Sequence, residues 1–462
     1  MKRLIGTKEF YKMALMIALP LMVQNALTSC VTLVDNLMVG SLGTESMTAV
    51  SIANQLMFVF QLTVFGGVSG AGIFTAQFFG RGDDQGIRYT MRFKLVVTSV
   101  LALGATVLFS AHGGGLLELF LHADEVTDLE LCRTQARDYL NIVIFTMFPF
   151  ILTQCYGDTL RGCGHTVIPM AAGAAGIGLN IVLNYVFIFG HLGFPAMGVI
   201  GAAVATLIAR CCECAVLVIW AHTHTRKYTF MKGVWRSLYV PGVLVRRITI
   251  KGLPLLFNEA LWSCGMTVMA QCYSTRGLSA VAAYQICQTV WQLFTIVAFA
   301  LGNSVGIIVG QKLGAGELEK AKDYAHKLIA FATFVAALCG LLLGLCGGWF
   351  PTLYNTSEEV RHLATQMLLV MGFTLPFLAF THSCYFTLRC GGKTMVTMIF
   401  DSLFVWTVCI PLAWCLSRFT ALPMLSLFFL CQIPEYLKCI LGYVMVKRGS
   451  WAQDLTEIMK HQ

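Results

Sequence analysis

Three carboxylates stand inside long apolar stretches: Asp35 in "TLVDNLMVG" (32–40), Glu259 in "LPLLFNEALWSCG" (253–265) and Asp401 in "FDSLFVWTVCIPLAW" (400–414). A carboxylate at the centre of a spanning helix costs about 2.5–3.5 kcal/mol on insertion scales, so it needs a partner or a wet cavity. Partly withdrawn from water, such a group holds a proton more readily; ionised, it attracts a cation. The chemistry on offer is therefore reversible exchange of a proton or small cation for a cationic guest. Polar neighbours follow helical spacing. Gln24 and Thr28 share a face with Asp35, and Trp262 and Ser263 share one with Glu259. Asn180 and Asn184 lie at i, i+4. Gln285, Gln288 and Gln292 share a face beside Tyr284 and Trp291, where they could line a substrate path or bond between helices. Arg210 with Glu213, and Glu435 with Lys438, are spaced i, i+3 to neutralise one another.

The elements that must hold these groups are spanning helices. The 462 residues are 57% hydrophobic and only 12% charged, with a mean hydropathy of +0.73. A soluble domain carries about twice that charged fraction. Twelve apolar segments are predicted at 12–38, 47–79, 93–112, 135–160, 167–190, 197–222, 248–274, 280–311, 325–350, 362–388, 395–416 and 422–446. The first is read as a retained helix and not a signal peptide, because it runs to full spanning length without a small-residue cleavage site. Of the 32 Lys and Arg, 25 fall at the termini and in the connections after the even-numbered segments. Only Arg133, Arg137, Arg276, Arg361 and Arg418 fall on the other side. The positive-inside rule then places both termini in the cytoplasm of an inner cell membrane. The net charge of +9 is thus topological, and no nucleic-acid partner is expected.

Enzyme and metal chemistry find little support. Cys211, Cys212 and Cys214 surround Glu213, but adjacent cysteines on a helix point apart and no His joins them at ligand spacing. The best histidine candidates, "LHADE" (121–125) and "AHTHTRK" (221–227), lie at loop ends. No cofactor or metal is expected beyond H⁺ or Na⁺ as a coupling ion. The expected partners are a small organic substrate and membrane lipid, and the expected state is a monomer.

The chain repeats itself. Residues 19–82 align with 253–316 at a constant offset of 234, with 18 of 64 positions identical, among them Pro20/Pro254, Gln77/Gln311, Gly43/Gly277, Gly72/Gly306, Gly80/Gly314 and Gly82/Gly316. "TLRGCGHT" (159–166) and "TLRCGGKT" (387–394) form a second pair, and Glu259 maps to Asn25. Each half has six helices, so both enter the membrane in the same direction, as in a parallel repeat. The expected fold is an all-α membrane protein of two six-helix bundles, 1–222 and 248–462, joined by a basic cytoplasmic linker at 223–247 and flanking a central cleft.

"VDNLMVGSLG" (34–43), "AQFFGRGD" (76–83) with its echo "GQKLGAGE" (310–317), "LRGCGHTVIPM" (160–170), "AVAAYQIC" (280–287) and "LRCGGKT" (388–394) together resemble the multidrug and toxic compound extrusion family, over about residues 10–450. The resemblance implies a secondary antiporter that exports amphiphilic, usually cationic compounds in exchange for H⁺ or Na⁺ by alternating access, with the Asp35 position tied to cation coupling. It leaves open a lipid-linked oligosaccharide flippase or polysaccharide exporter of the same superfamily, although those carry more cationic clefts. Many relatives have Asp where this chain has Asn184. Coupling is therefore expected to lean on Glu259, with Asp401 as its companion.

Overall fold

A computed structural model describes residues 5–118 and 128–457. The histidine candidate at 121–125 and the basic residues Lys2, Arg3 and Lys460 lie outside them. Each of the twelve predicted segments is a helix: α1 Lys8–Gly40, α2 Thr44–Arg81, α3 Asp84–Glu118, α4 Leu129–Gly162, α5 Val167–Phe189, α6 Gly198–Thr223, α7 Gly242–Ser274, α8 Leu278–Gly314, α9 Leu318–Cys346, α10 Glu358–Cys390, α11 Thr394–Phe419 and α12 Met424–Arg448. Eleven are long and apolar enough to cross a membrane. The other, α7, is lowered by Pro254, Asn258 and Glu259 within its apolar run. Val100, Leu103 and Val107 on α3 stay exposed, as lipid-facing side chains do.

The largest boundary difference is in α3, which starts at Asp84 and not near 93. Arg88, Arg92 and Lys94 lie in its first three turns. The apolar pattern misplaces this start because two of those cations find partners inside the fold. Arg92 donates to the carbonyls of Val234 (2.9 Å) and Gly233 (2.8 Å), and fully buried Lys94 pairs with Asp158 at 2.5 Å.

The chain forms two compact units. One contains the chain up to Met22, Ala76–Asp83 and Thr249 onward; the other contains Val23–Thr75 and Asp84–Ile248. Unit boundaries thus fall inside α1, α2 and α7. Phe10, Ala14, Ile17 and Leu21 pack with Val305, Ile308, Val309, Leu313 and Leu328 of the first unit. Pro20 sits near the changeover in α1, where it removes one helix hydrogen bond. The second unit has its own core around Val50, Phe60, Phe109, Leu140 and Met147.

The sequence repeat becomes a repeat of backbone geometry. At the end of α2, Gly82 has φ +75°, and Asp83 N–H bonds the Phe78 carbonyl at 2.9 Å. At the end of α8, Gly316 has φ +76°, and Glu317 N–H bonds the Lys312 carbonyl at 3.0 Å. This left-handed helix stop favours glycine, which has no Cβ to clash. Gly80 and Gly314 serve a different need. A methyl group on Gly80 would overlap the Gln311 backbone carbonyl, and one on Gly314 would overlap that of Gln77. The two helix ends therefore cross reciprocally at near backbone contact. Gly80→Ala or Gly314→Ala is expected to force this crossing apart and to cost about 2 kcal/mol. A clear fall in the melting temperature of the purified protein would show it; an unchanged midpoint would show that the crossing relaxes freely.

The chain after α12 packs on this corner. Gln77 donates to the carbonyls of Cys390 (2.9 Å) and Gln453 (3.2 Å) and accepts from Leu455 N–H (2.7 Å). Arg81 donates to the Thr456 carbonyl, and buried Trp451 bonds the Val446 carbonyl.

Candidate functional site

Each unit gathers polar side chains around one of the acids Asp35 and Asp401. In the second unit α1 supplies Asp35 and α5 supplies Asn180 and Asn184. The Asn184 amide donates to Asp35 Oδ1 at 2.7 Å and to Asn180 Oδ1 at 3.2 Å, while Asn180 donates to Thr206 Oγ1 of α6 at 3.5 Å. Both asparagines are buried, 6% and 2% exposed, and Asp35 is half-buried. The Asn184 Oδ1 atom is buried with no hydrogen-bond partner among the described residues. The cluster thus pairs a carboxylate with an unclaimed amide oxygen, and both are donors for a small cation. Tyr139 of α4 bonds Asn54 of α2 at 3.3 Å nearby. Gln24 lies over Gly173 of α5 beside Glu213, and the missing glycine side chain leaves that room. Thr28 returns its hydroxyl to the Gln24 carbonyl at 2.9 Å. Arg210 and Glu213 form the expected ion pair at 2.9 Å.

In the first unit the hub is Asn258, 1% exposed on α7. Its amide donates to Asp401 Oδ2 (3.2 Å) and to the Tyr385 hydroxyl of α10 (3.4 Å). The Ser402 hydroxyl reaches the Asn258 carbonyl and side-chain oxygens, both at 2.7 Å. Asp401 sits where α11 widens into π-type turns at Ile399–Leu403, followed by Val405–Cys409. The sequence predicts a regular helix there. The wider turn re-aims side chains and is frequent at functional positions.

Lys438 of α12 donates to Asp401 Oδ1 at 2.7 Å, while Glu435 stands 4.0 Å away. The expected Glu435–Lys438 pair is thus present at the outer limit of an ion pair, and Asp401 is the closer carboxylate. Local spacing put Glu435 within reach, but the packing of α11 against α12 put a closer carboxylate there.

Glu259 is next to the hub yet differs from Asp401. It is half-buried and has no hydrogen bond or ion pair among the described residues; Arg389 and Asp401 are the charges that act on it. Arg389 itself lies over the rings of Phe386 (5.2 Å) and Tyr385 (5.9 Å). Trp262 is 41% exposed. Tyr284 is sunk in the core against Tyr273 and Phe428 and accepts from Gln288 at 2.8 Å, whereas Gln285 and Gln292 are exposed. The structure thus brings Asp35, Asn180 and Asn184 together, brings Asp401 beside Asn258, and separates Tyr284 and Gln288 from the exposed glutamines.

A family model described as MatE matches residues 20–186 and 254–415, most of both halves. The chain belongs to the MatE family. Its double match follows the internal repeat. Among relatives of this MatE chain are the probable multidrug resistance proteins NorM of Thermotoga maritima, 24% identical over 90% of this chain and 88% of that protein, and YoeA of Bacillus subtilis, 25% identical over 88% and 87%. A crystal structure of MATE in complex with MaL6 shares the fold, with a TM-score of 0.85 and 20% identity over 97% of this chain and 98% of that one. The chain is accordingly a multi-pass membrane transporter of the MatE family.

Reading the sequence missed Asn258, Tyr385 and Ser402 as partners in the first unit, and Asn54, Tyr139 and Thr206 in the second. Each is polar within an apolar helix, which is a signal. It is shared by too many Ser, Thr and Tyr residues to single these out without knowing which faces meet.

Proposed function

We propose that this MatE chain is a secondary antiporter that exports amphiphilic, cationic multidrug-type compounds in exchange for H⁺ or Na⁺ by alternating access, from a cytoplasmic face that also holds both termini. The observation that carries the reading is Glu259, an acid within a spanning helix with no committed partner among the described residues. A carboxylate so placed exchanges between a proton, a sodium ion and an organic cation, because each neutralises it and none is pre-empted by a fixed counter-charge. Asp401, by contrast, is matched by Lys438, so it orders the site through Asn258 and Glu259 titrates. Asp35 with the free Asn184 oxygen supplies a second cation position. The relatives named for multidrug resistance support the substrate class.

Purified protein in proteoliposomes, given imposed H⁺ and Na⁺ gradients separately, tests the reading. Uptake of a fluorescent organic cation driven by one gradient is expected; indifference to both overturns antiport. Asp35→Asn is expected to lower gradient-driven transport while leaving yield and melting temperature close to wild type, since Asn184 can still bond an amide oxygen there. Unchanged transport at equal protein would make Asp35 a structural residue.

A further inference from the structure

The linker between the halves folds into a defined turn against α3 and α6 and walls an open-sided cavity of about 690 Å³. Its chemistry comes from Arg88 in the first turns of α3, His222 at the end of α6, and Thr225, Lys232, Trp235 and Arg236 of the linker. Arg88, Lys232 and Arg236 have no carboxylate partner within 4 Å among the described residues, so three cations share one concavity without an acid. Like charges left unneutralised side by side repel, and an anion relieves that repulsion.

The cavity wall is held from beneath. Buried Arg92 grips the Val234 and Gly233 carbonyls, with Gly233 at φ +77° turning the chain toward it. Tyr228, Phe230, Met231 and Val234 anchor the turn as buried side chains. Trp235 Nε1 donates to the buried Tyr156 hydroxyl at 2.9 Å, and that hydroxyl meets His222 Nε2 at 2.8 Å. A hydroxyl both donates and accepts, so Tyr156 links the linker indole to the α6 imidazole.

The cavity lies between the first turns of one spanning helix and the last turn of another, so it sits at the membrane boundary. There Trp235, Leu238 and Tyr239 are 54%, 56% and 65% exposed. Tryptophan and tyrosine favour the headgroup level, where one end of the ring meets apolar chains and the other meets water. We propose that this cavity binds the phosphate of an anionic phospholipid headgroup, with Arg88, Lys232 and Arg236 as its cationic ligands and Trp235 resting against the lipid. Basic pockets at the ends of spanning helices have the charge for such headgroups. A free phosphate ion has the same anionic chemistry, but it would use neither Trp235 nor the exposed apolar flank.

Native mass spectrometry of the delipidated full-length protein distinguishes these sources, with phosphatidylglycerol, phosphatidylcholine and inorganic phosphate as probes. The variant R88Q/K232Q/R236Q is compared with R226Q/K227Q/R246Q, which removes the same charge outside the cavity. Phosphatidylglycerol is expected to bind wild type and the outside variant more tightly than phosphatidylcholine does. The cavity variant should lose that preference, by about fivefold for each cation removed. The single variants Lys232→Gln and Arg236→Gln, both at exposed positions, give the same readout if the triple variant folds poorly. Equal losses in the two triple variants, no loss in the cavity variant, or displacement of phosphatidylglycerol by equimolar inorganic phosphate would each overturn the assignment.

Discussion

Glu259→Gln is expected to abolish accumulation against a gradient while leaving a folded protein. The substitution keeps size and hydrogen-bonding capacity and removes the change of charge. Because Glu259 has no bonded partner among the described residues, it strands no counter-charge. A tenfold gradient of the coupling ion is worth about 1.4 kcal/mol and supports about tenfold accumulation of a monovalent cation in one-for-one exchange. The variant should bring that ratio to unity. Counterflow, which needs binding and reorientation but no net ion movement, should persist at reduced affinity for cationic substrates. Both are measured in the same vesicles. Wild-type uphill transport with the same ion dependence would assign Glu259 a packing role and place coupling elsewhere.

Asp401→Asn should act on the fold itself. It leaves the Lys438 ammonium, 7% exposed, facing an amide, with Glu435 at 4.0 Å as the remaining acid. Removing one member of a buried ion pair costs about 3 kcal/mol, because the other charge stays desolvated without compensation. A large drop in melting temperature and yield is expected. The double variant Asp401→Asn with Lys438→Met should recover much of the loss, since both charges are gone. If the single variant melts with wild type, Lys438 is solvated well enough to do without its partner. The contrast with Glu259→Gln is informative: two acids close together, one expected to change transport and the other stability.

Much of this organisation could be read in the sequence. The twelve helices follow from apolar runs of spanning length, and the two halves follow from an offset that keeps proline, glutamine and glycine in register. The structure gives that register a cause: paired left-handed stops at Gly82 and Gly316, and reciprocal close approach at Gly80 and Gly314. The acids of interest were visible because a charge inside an apolar run is rare. Less visible were charges at helix starts. Arg88, Arg92 and Lys94 look like a basic loop until the linker carbonyls and Asp158 account for the two buried ones.

The sequence by itself determined where the helices run, apart from ends such as the start of α3, how the halves correspond and which helices carry acids, because these depend on spacing along one chain. Only the tertiary structure decided which acid is committed and which is free. Lys438 can reach Glu435 one turn away, yet it bonds Asp401, 37 residues distant, because helix packing and the π-type turns of α11 set the rotation of each face. Asn258 became a hub for the same reason, bonding residues of α10 and α11 far along the chain. Helical periodicity fixes how side chains are distributed around one axis; the partner each one meets depends on the angle and depth at which a second axis crosses it.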